Sequence, residues 1–435
     1  MNLLAGGGYT WLLVFALLSA PATWADFRSA KDALKSKDFN SAADQFRQFS
    51  RLGHAGASFE LAKLMEEGRV AESNTADALA WYMLAEDQGH EKAARKVKSL
   101  TRKASEADVS RAQEMAADLR MHSGRKALEA TLLPEIGGRP AMLVEISKND
   151  DFDWPRSEAF RYRATLVHLE FDVTAKGYPR DFRLVRESRD PYVEEVLKGL
   201  RKTRYQSVPG LFSQEYRFLF FKFDEREQYG NARLLRKLRR RAENGSPARK
   251  YSYAYAQELA ENFGYGFSER DSNEWFLDAA KGGHTKAQYV IGYRTFFGYT
   301  LKRDIDKGWR WLSVAAGLGN ARANYFVARA LMREEGAEAA LPYLEAAAEG
   351  GHTTAMLWLA RMLAVSDVDA AVVWLNKATP HLDQVSWHLN AEEIYLKHDP
   401  EKSKMHRAEA EALAEQLDAH IEPLELIAWK ERGAA

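Results

Sequence analysis

Apolar side chains along this chain follow two different periods. Over most of its length they recur at every third or fourth position, the spacing that gathers them on one face of an α-helix; between Arg125 and Tyr229 they recur at every second position, the spacing of a strand. Within the helical stretches one frame repeats. An aromatic residue is followed four positions later by Ala, eight positions later by Gly and twelve positions later by Ala: Trp81, Ala85, Gly89 and Ala93; Trp275, Ala279, Gly283 and Ala287; Trp311, Ala315, Gly319 and Ala323; Tyr343, Ala347, Gly351 and Ala355. Positions four apart share a helix face, so the aromatic and the first Ala pack together against a neighbour. Glycine then ends the helix, because it takes the left-handed conformation without steric cost, and the second Ala lets the next helix approach closely. Gly53 and Gly89 lie 36 residues apart, as do Gly283 and Gly319, while Gly319 and Gly351 lie 32 apart. That repeat length predicts helix-turn-helix units stacked into a solenoid.

In the middle stretch Val167, Leu169, Phe171 and Val173 alternate with His168, Glu170 and Asp172, which predicts a half-buried strand. A turn at Ala175, Lys176 and Gly177 leads to a second strand around Phe182, Leu184 and Val185. Asp190 is placed to cap a helix starting at Pro191, with Val193, Val196, Leu197 and Leu200 as its apolar face. After Pro209 and Gly210, the aromatic run Tyr216 to Phe223 predicts the last strand. The fold class is therefore α+β and multidomain, an α-solenoid flanking a small antiparallel sheet with one covering helix.

The repeats resemble the Sel1-like family, itself similar to tetratricopeptide repeats. Ala80, Trp81, Tyr82, Gly89 and His90 match its second helix and turn, as do Trp311, Leu312, Ala315, Ala316 and Gly317; Ala57, Leu61 and Gly68 match its first helix in the same spacing as Ala287, Ile291 and Gly298. The unit at Trp374 and Ala378 runs into Pro380 instead of Gly, and the unit at Gly53 lacks its aromatic, as terminal caps would. The resemblance implies a scaffold that binds other proteins and implies no catalytic residue. The insert resembles the carboxy-terminal domain of TonB, on Phe171, Asp172 and Val173, the Lys176 and Gly177 turn, Arg186, Glu187 and Ser188, then Arg204, Tyr205 and Pro209. That resemblance implies a sheet edge that takes up an extended peptide as an added strand. It departs from an energy transducer in having only 12 prolines, no proline-rich spacer and no ionisable residue in the N-terminal apolar segment.

Composition narrows the chemistry. Lys plus Arg and Asp plus Glu balance at 62 each, so no global field steers the protein toward nucleic acid, and there is no cysteine to form a disulfide, a thiolate metal site or a nucleophile. The first 25 residues carry no charged side chain and include the apolar run Trp11 to Leu18, with small residues at Ala22 and Ala25. They read as a secretory signal, with an uncleaved membrane anchor as the alternative. His54, His90, His284 and His352 occupy one repeat position, too far apart along a solenoid to share an ion, so no metal site is assigned to them. His168 and Glu170 share a strand face and could form an acid/base pair, but read better as the polar side of a half-exposed strand. Arg233, Arg236, Lys237, Arg239, Arg240 and Arg241, with Leu234, Leu235 and Leu238 between them, form a basic amphipathic helix. That helix reads as a solvated linker whose leucines cap the second solenoid, or as a contact to anionic headgroups or cell-wall phosphates.

The expected layout is a signal or anchor at 1–25, repeats at 26–124, the TonB-like insert at 125–229, repeats at 230–420 and a tail at 421–435. The expected function is a non-enzymatic periplasmic adaptor without cofactor or metal, its solenoid presenting a concave surface to an envelope protein and its sheet edge taking a peptide, with an outer-membrane protein as one candidate partner. Gln214, Tyr216, Phe218 and Phe220 on the edge strand, with Tyr205 nearby, are the candidate peptide-binding residues. The alternative is a membrane-anchored, TonB-like transducer acting in outer-membrane transport; a peptidoglycan enzyme using His168 and Glu170 ranks third.

Overall fold

A computed structural model describes residues 30, 33–137, 146–148, 165–174, 176–187, 191–205, 212–220, 225–243, 245–261, 270–379, 382–417 and 419. The N-terminal segment read as signal or anchor, the cap position Asp190, residues 221–223 of the expected last strand and the tail lie outside them. Among the described residues no helix is long and apolar enough to cross a membrane. The chain divides into two compact units, residues 1–141 with 229–320, and residues 142–228 with 321–435.

The first unit is helical. It comprises α1 (Phe39–Arg51), α2 (Ala55–Glu66), α3 (Thr75–Asp87), α4 (Ala93–Thr101), α5 (Glu106–Ser123), α6 (Arg125–Thr131), most of α8 (Glu225–Glu243), α9 (Pro247–Glu261), α10 (Ser272–Lys281), α11 (Thr285–Phe297) and α12 (Ile305–Gly317). Helices pack in antiparallel pairs in chain order, α2 with α3, α9 with α10 and α11 with α12. Their starts follow from side chains that accept orphan N–H groups: Asn74 and Asp77 form a reciprocal capping box on α3, and Asp271 and Asp304 cap α10 and α12. Gly53, Gly89, Gly283 and Gly319 all have φ between +79° and +93°, the left-handed exit the repeat frame requires. The frame's small residues Ala85, Ala93, Ala279, Ala287 and Ala315 are wholly buried; Trp311 is buried too, and Trp81 is half-buried against the Phe46, Phe49 and Leu61 cluster. Helical structure continues past Arg125, where the insert was expected to begin. Beyond α6 the chain runs along the repeats, with Trp311 Nε1 donating to Leu132 O at 2.9 Å and Lys302 N donating to Glu135 O at 3.0 Å.

The second unit joins the insert to the last repeats. Its sheet elements are β1 (Ile146–Lys148), β2 (Thr165–Val173), β3 (Pro179–Glu187), β4 (Arg204–Tyr205) and β5 (Phe212–Phe220), and α7 (Pro191–Lys202) links β3 to β4. The repeats follow as α13 (Ala321–Glu334) with α14 (Ala337–Glu349), α15 (Thr353–Leu363) with α16 (Val368–Lys377), and α17 (Gln384–Tyr395) with α18 (Pro400–Leu417). The three long strands are antiparallel in the order β3-β2-β5, and β1 pairs with β4 in a separate short ladder. Pairing of β2 with β5 is continuous from Thr165↔Phe220 to Val173↔Phe212, whereas β2 with β3 shifts register twice. One face of β2, Val167, Leu169, Phe171 and Val173, is buried with Phe182 under Val196, Leu197 and Leu200 of α7.

The other face of β2 departs from the sequence expectation of a half-exposed strand. His168, Glu170 and Asp172 are 2%, 3% and 0% exposed. Alternation places one side chain set on each face but cannot tell whether the polar face meets water or a charged partner; here arginines from β3 and α13 meet it.

Candidate peptide-binding site

The first helices of the three repeats in the second unit, α13, α15 and α17, supply the partners for this polar face. Asp172 sits at the centre: it accepts from Arg183 Nη1 of β3 at 2.8 Å, from Arg329 Nη1 of α13 at 2.8 Å and from the Tyr325 hydroxyl at 3.0 Å. Glu170 accepts from Arg322 Nε at 2.9 Å and lies 3.7 Å from Arg183 Nε. Arg183 Nη1 also donates to Thr354 Oγ1 at the start of α15, at 2.7 Å. A second anchor stands at Asp181, whose φ of +54° is unusual for a residue with a side chain. Its backbone N–H donates to Asp383 Oδ2 at 3.0 Å, and its carboxylate accepts from the Ser386 hydroxyl at the start of α17. The sheet is thus tied by ionic and charge-assisted bonds to one helix of every repeat in its unit.

Burial in low dielectric sets the protonation of this seam. Burial alone pulls the Arg183 guanidinium down, but the Asp172 and Glu170 carboxylates outweigh it and hold it above its ordinary value. Burial raises the Tyr325 hydroxyl well above its usual range, aided by Asp172, so it stays a donor. His352 is pushed well below the usual imidazole value by burial and then by the Arg183 charge. Its neutral ring stacks on Tyr325 at 4.1 Å between centroids. His168 and Glu170 are therefore enclosed, Glu170 being bound by arginines, and no substrate reaches them as an acid/base pair.

The repeat-position histidines have a shared structural task that the sequence did not disclose. Nδ1 of His54, His284 and His352 accepts from the backbone N–H three residues on, at 2.9, 3.2 and 3.3 Å, capping α2, α11 and α15. The rings of His90, His284 and His352 stack on Phe59, Tyr251 and Tyr325. Among the described residues no group of three or more His, Cys, Asp or Glu side chains could hold a metal ion.

With one face under α7 and the other bonded to the repeats, what β2 and its neighbours still offer is backbone at the sheet edges. Among the described strands β5 lies at an edge: β2 flanks it on one side, and no other described strand flanks it on the second. Gln214, Tyr216, Phe218 and Phe220 lie on it, in register with Phe171, Leu169, Val167 and Thr165. Tyr205 lies elsewhere, on β4, with its ring buried 5.7 Å from that of Phe171, and its N–H donates to Gly177 O at 3.0 Å. It belongs to the core beneath the sheet and supports the site from within.

Sequence reasoning missed the partners of the polar face. A signal existed: Arg322, Tyr325 and Arg329 fall at helical spacing on the first helix of a repeat, putting two cations on the stripe where apolar residues are the rule. No family model and no curated protein matches this chain. Among solved structures, it is similar to a Sel1 repeat protein from Oxalobacter formigenes, with 20% identity over 42% of this chain and 80% of that one and a TM-score of 0.34. It is also similar to c5321, a protective antigen present in uropathogenic Escherichia coli strains displaying an SLR fold, with 15% identity over 90% of this chain and 73% of that one and a TM-score of 0.34. The helical-repeat architecture stands on the caps, glycines and buried alanines described above, and not on overlaps this loose.

Proposed function

We propose that this protein is a non-enzymatic binding scaffold of a bacterial cell envelope, exported to the periplasm, which captures an extended peptide segment of an envelope protein by strand addition at β5. The observation that carries this reading is the closure of both faces of β2 together with an edge of β5 that no other described strand flanks. Backbone N–H and C=O groups at such an edge give affinity without requiring a particular sequence, and alternate side chains of the bound peptide give selectivity. The repeats hold the sheet in place: the face built by α13, α15 and α17 is bonded to β2 and to Asp181 and Arg183 of β3, so a partner of the second unit's repeats must use their other surfaces.

Photo-crosslinkers placed at Gln214, Tyr216 and Phe218 in intact cells test the proposal. The crosslinked segment, made as a synthetic peptide, is expected to bind the full chain and to lose binding when alternate backbone amides are N-methylated, since strand addition depends on them. Insensitivity to N-methylation would rule out strand addition. Sequencing the mature N-terminus separates the exported form from an anchored, transducer-like one: a start at Thr23 or Asp26 leaves no anchor.

A further inference from the structure

The helix α8 holds a concentration of positive charge outside the seam that ties the sheet to its repeats. From residue 233 to residue 241 it contains Arg233, Arg236, Lys237, Arg239, Arg240 and Arg241 and no acidic residue, in a chain whose total charge is zero. All six side chains are exposed. Their arrangement around the helix is not even. Arg233, Arg236, Lys237, Arg240 and Arg241 fall on one side at spacings of three and four, while Leu235, Leu238 and Ala242 fall on the opposite side, where Ala242 is wholly buried and the two leucines are half-buried. Arg239, on the flank, pairs with Glu243 at 3.0 Å. Arg233, Lys237, Arg240 and Arg241 have no carboxylate partner among the described residues. Past the end of the helix the exposed Arg249 packs its side chain over Gly245.

Four of the five cations on this face therefore hold no carboxylate of the described fold. Five like charges along three turns repel one another, and the helix is held by its apolar side in spite of them. Charge complementarity selects an anionic surface. Polyanions differ in what else they demand: a nucleic acid strand is gripped by aromatic side chains that stack on bases, and residues 233–241 contain none. A planar array of phosphate headgroups demands only cations in one plane.

We propose that the outward face of α8 docks this protein on anionic phospholipid headgroups. Because the leucines face the protein, the helix does not insert its apolar side; attachment is peripheral, electrostatic and reversible by salt. This goes beyond the peptide-capture reading, and each can fail without the other.

Sedimentation of the full chain with vesicles tests it, using phosphatidylcholine alone or with about one third phosphatidylglycerol, at ionic strengths screened over roughly 3 to 10 Å. Binding is expected to the anionic vesicles at low salt and to disappear at high salt. Replacing Arg233, Arg236, Lys237, Arg240 and Arg241 by Gln should weaken it on the order of a thousandfold, to the level of neutral vesicles. A control set on another exposed basic segment, Arg95→Gln and Lys98→Gln on α4 with Arg102→Gln at its C-cap, should leave most of the binding intact. Partition by the N-terminal apolar run would be salt-insensitive and equal in all variants. Binding that is salt-insensitive, absent from anionic vesicles, or lost equally with the α4 set overturns the proposal; circular dichroism establishes that each variant is folded, and the salt response of the unaltered chain decides the matter if one is not.

Discussion

Arg329 Nη1 lies 2.8 Å from Asp172 Oδ1, joining the C-terminal end of β2 to the first helix of a repeat 157 residues further along the chain. Asp172 is wholly buried and also holds Arg183, so removing it leaves two guanidinium groups without their central anion. Breaking a buried charge cluster from one side is far more costly than replacing it entirely by apolar residues. Asp172→Ala is expected to destabilise the second unit by about 3 to 5 kcal/mol, while Asp172→Leu with Arg183→Met and Arg329→Met recovers most of that loss. Urea denaturation followed by hydrogen exchange on β2 measures both. Equal stability of the single variant and the parent would mean that the seam does not hold the sheet.

His352 makes stability depend on pH in a fixed direction. Its folded-state value lies well below the ordinary 6.5, because burial and then Arg183 disfavour the imidazolium, and its Nδ1 must remain an acceptor to cap α15. A depressed histidine binds fewer protons folded than unfolded, so its contribution is complete above about 6.5 and is lost as the pH falls below that value. Between neutral pH and pH 5 the melting temperature should fall, and it should fall less in His352→Asn, which keeps a capping acceptor without a titrating ring. Comparing the two slopes removes the contributions of His90, His388 and His406, all lowered by burial as well. Parallel slopes would refute the assignment.

The parts of this fold that the sequence disclosed are those set by local rules. The four-residue frame located helix exits because only glycine tolerates the φ of +84° at Gly283 or +89° at Gly351, and the alternation in β2 located its two faces because side chains of a strand point to opposite sides. What meets each face is not a local property. Glu170 and Asp172 looked solvated because, besides Arg183 on the neighbouring strand, their partners Arg322 and Arg329 are more than 150 residues away. Gly292 and Gly308 escaped notice for a related reason: a Cβ on Gly308 would lie 2.4 Å from Phe296 N, so the pair marks a close crossing of α11 and α12 that has no signature in either helix alone. The candidate edge was legible as a strand, but its standing as an edge emerges only from the β3-β2-β5 order.

Within the repeats the cost of truncation should track burial. Trp311 is fully enclosed and its indole N–H is bonded to Leu132 O, so Trp311→Ala should lose about 3 to 5 kcal/mol through the cavity, with the orphaned carbonyl adding to it. Trp81 occupies the same frame position but is half-buried, and Trp81→Ala should cost clearly less. Thermal melts of the two variants compare them directly. If they lose equal stability, the frame position alone, and not burial, governs the repeat's packing.

Gly177 links the sheet's turn to β4. Its φ is +88°, and a Cβ there would sit 2.1 Å from the Tyr205 carbonyl oxygen, a backbone atom that cannot swing aside. Tyr205 in turn packs on Phe171, directly below the strand that β5 pairs with. Gly177→Ala should therefore displace β4 and cost about 2 to 4 kcal/mol, combining overpacking with an unfavourable backbone conformation. Because the displaced segment supports β2 from its apolar face, peptide capture at β5 should weaken along with stability, although residue 177 lies outside that edge. Limited proteolysis around Arg204 together with a peptide-binding isotherm separates the two effects. Full binding by a Gly177→Ala chain that is cut at Arg204 would show that the edge does not need its support.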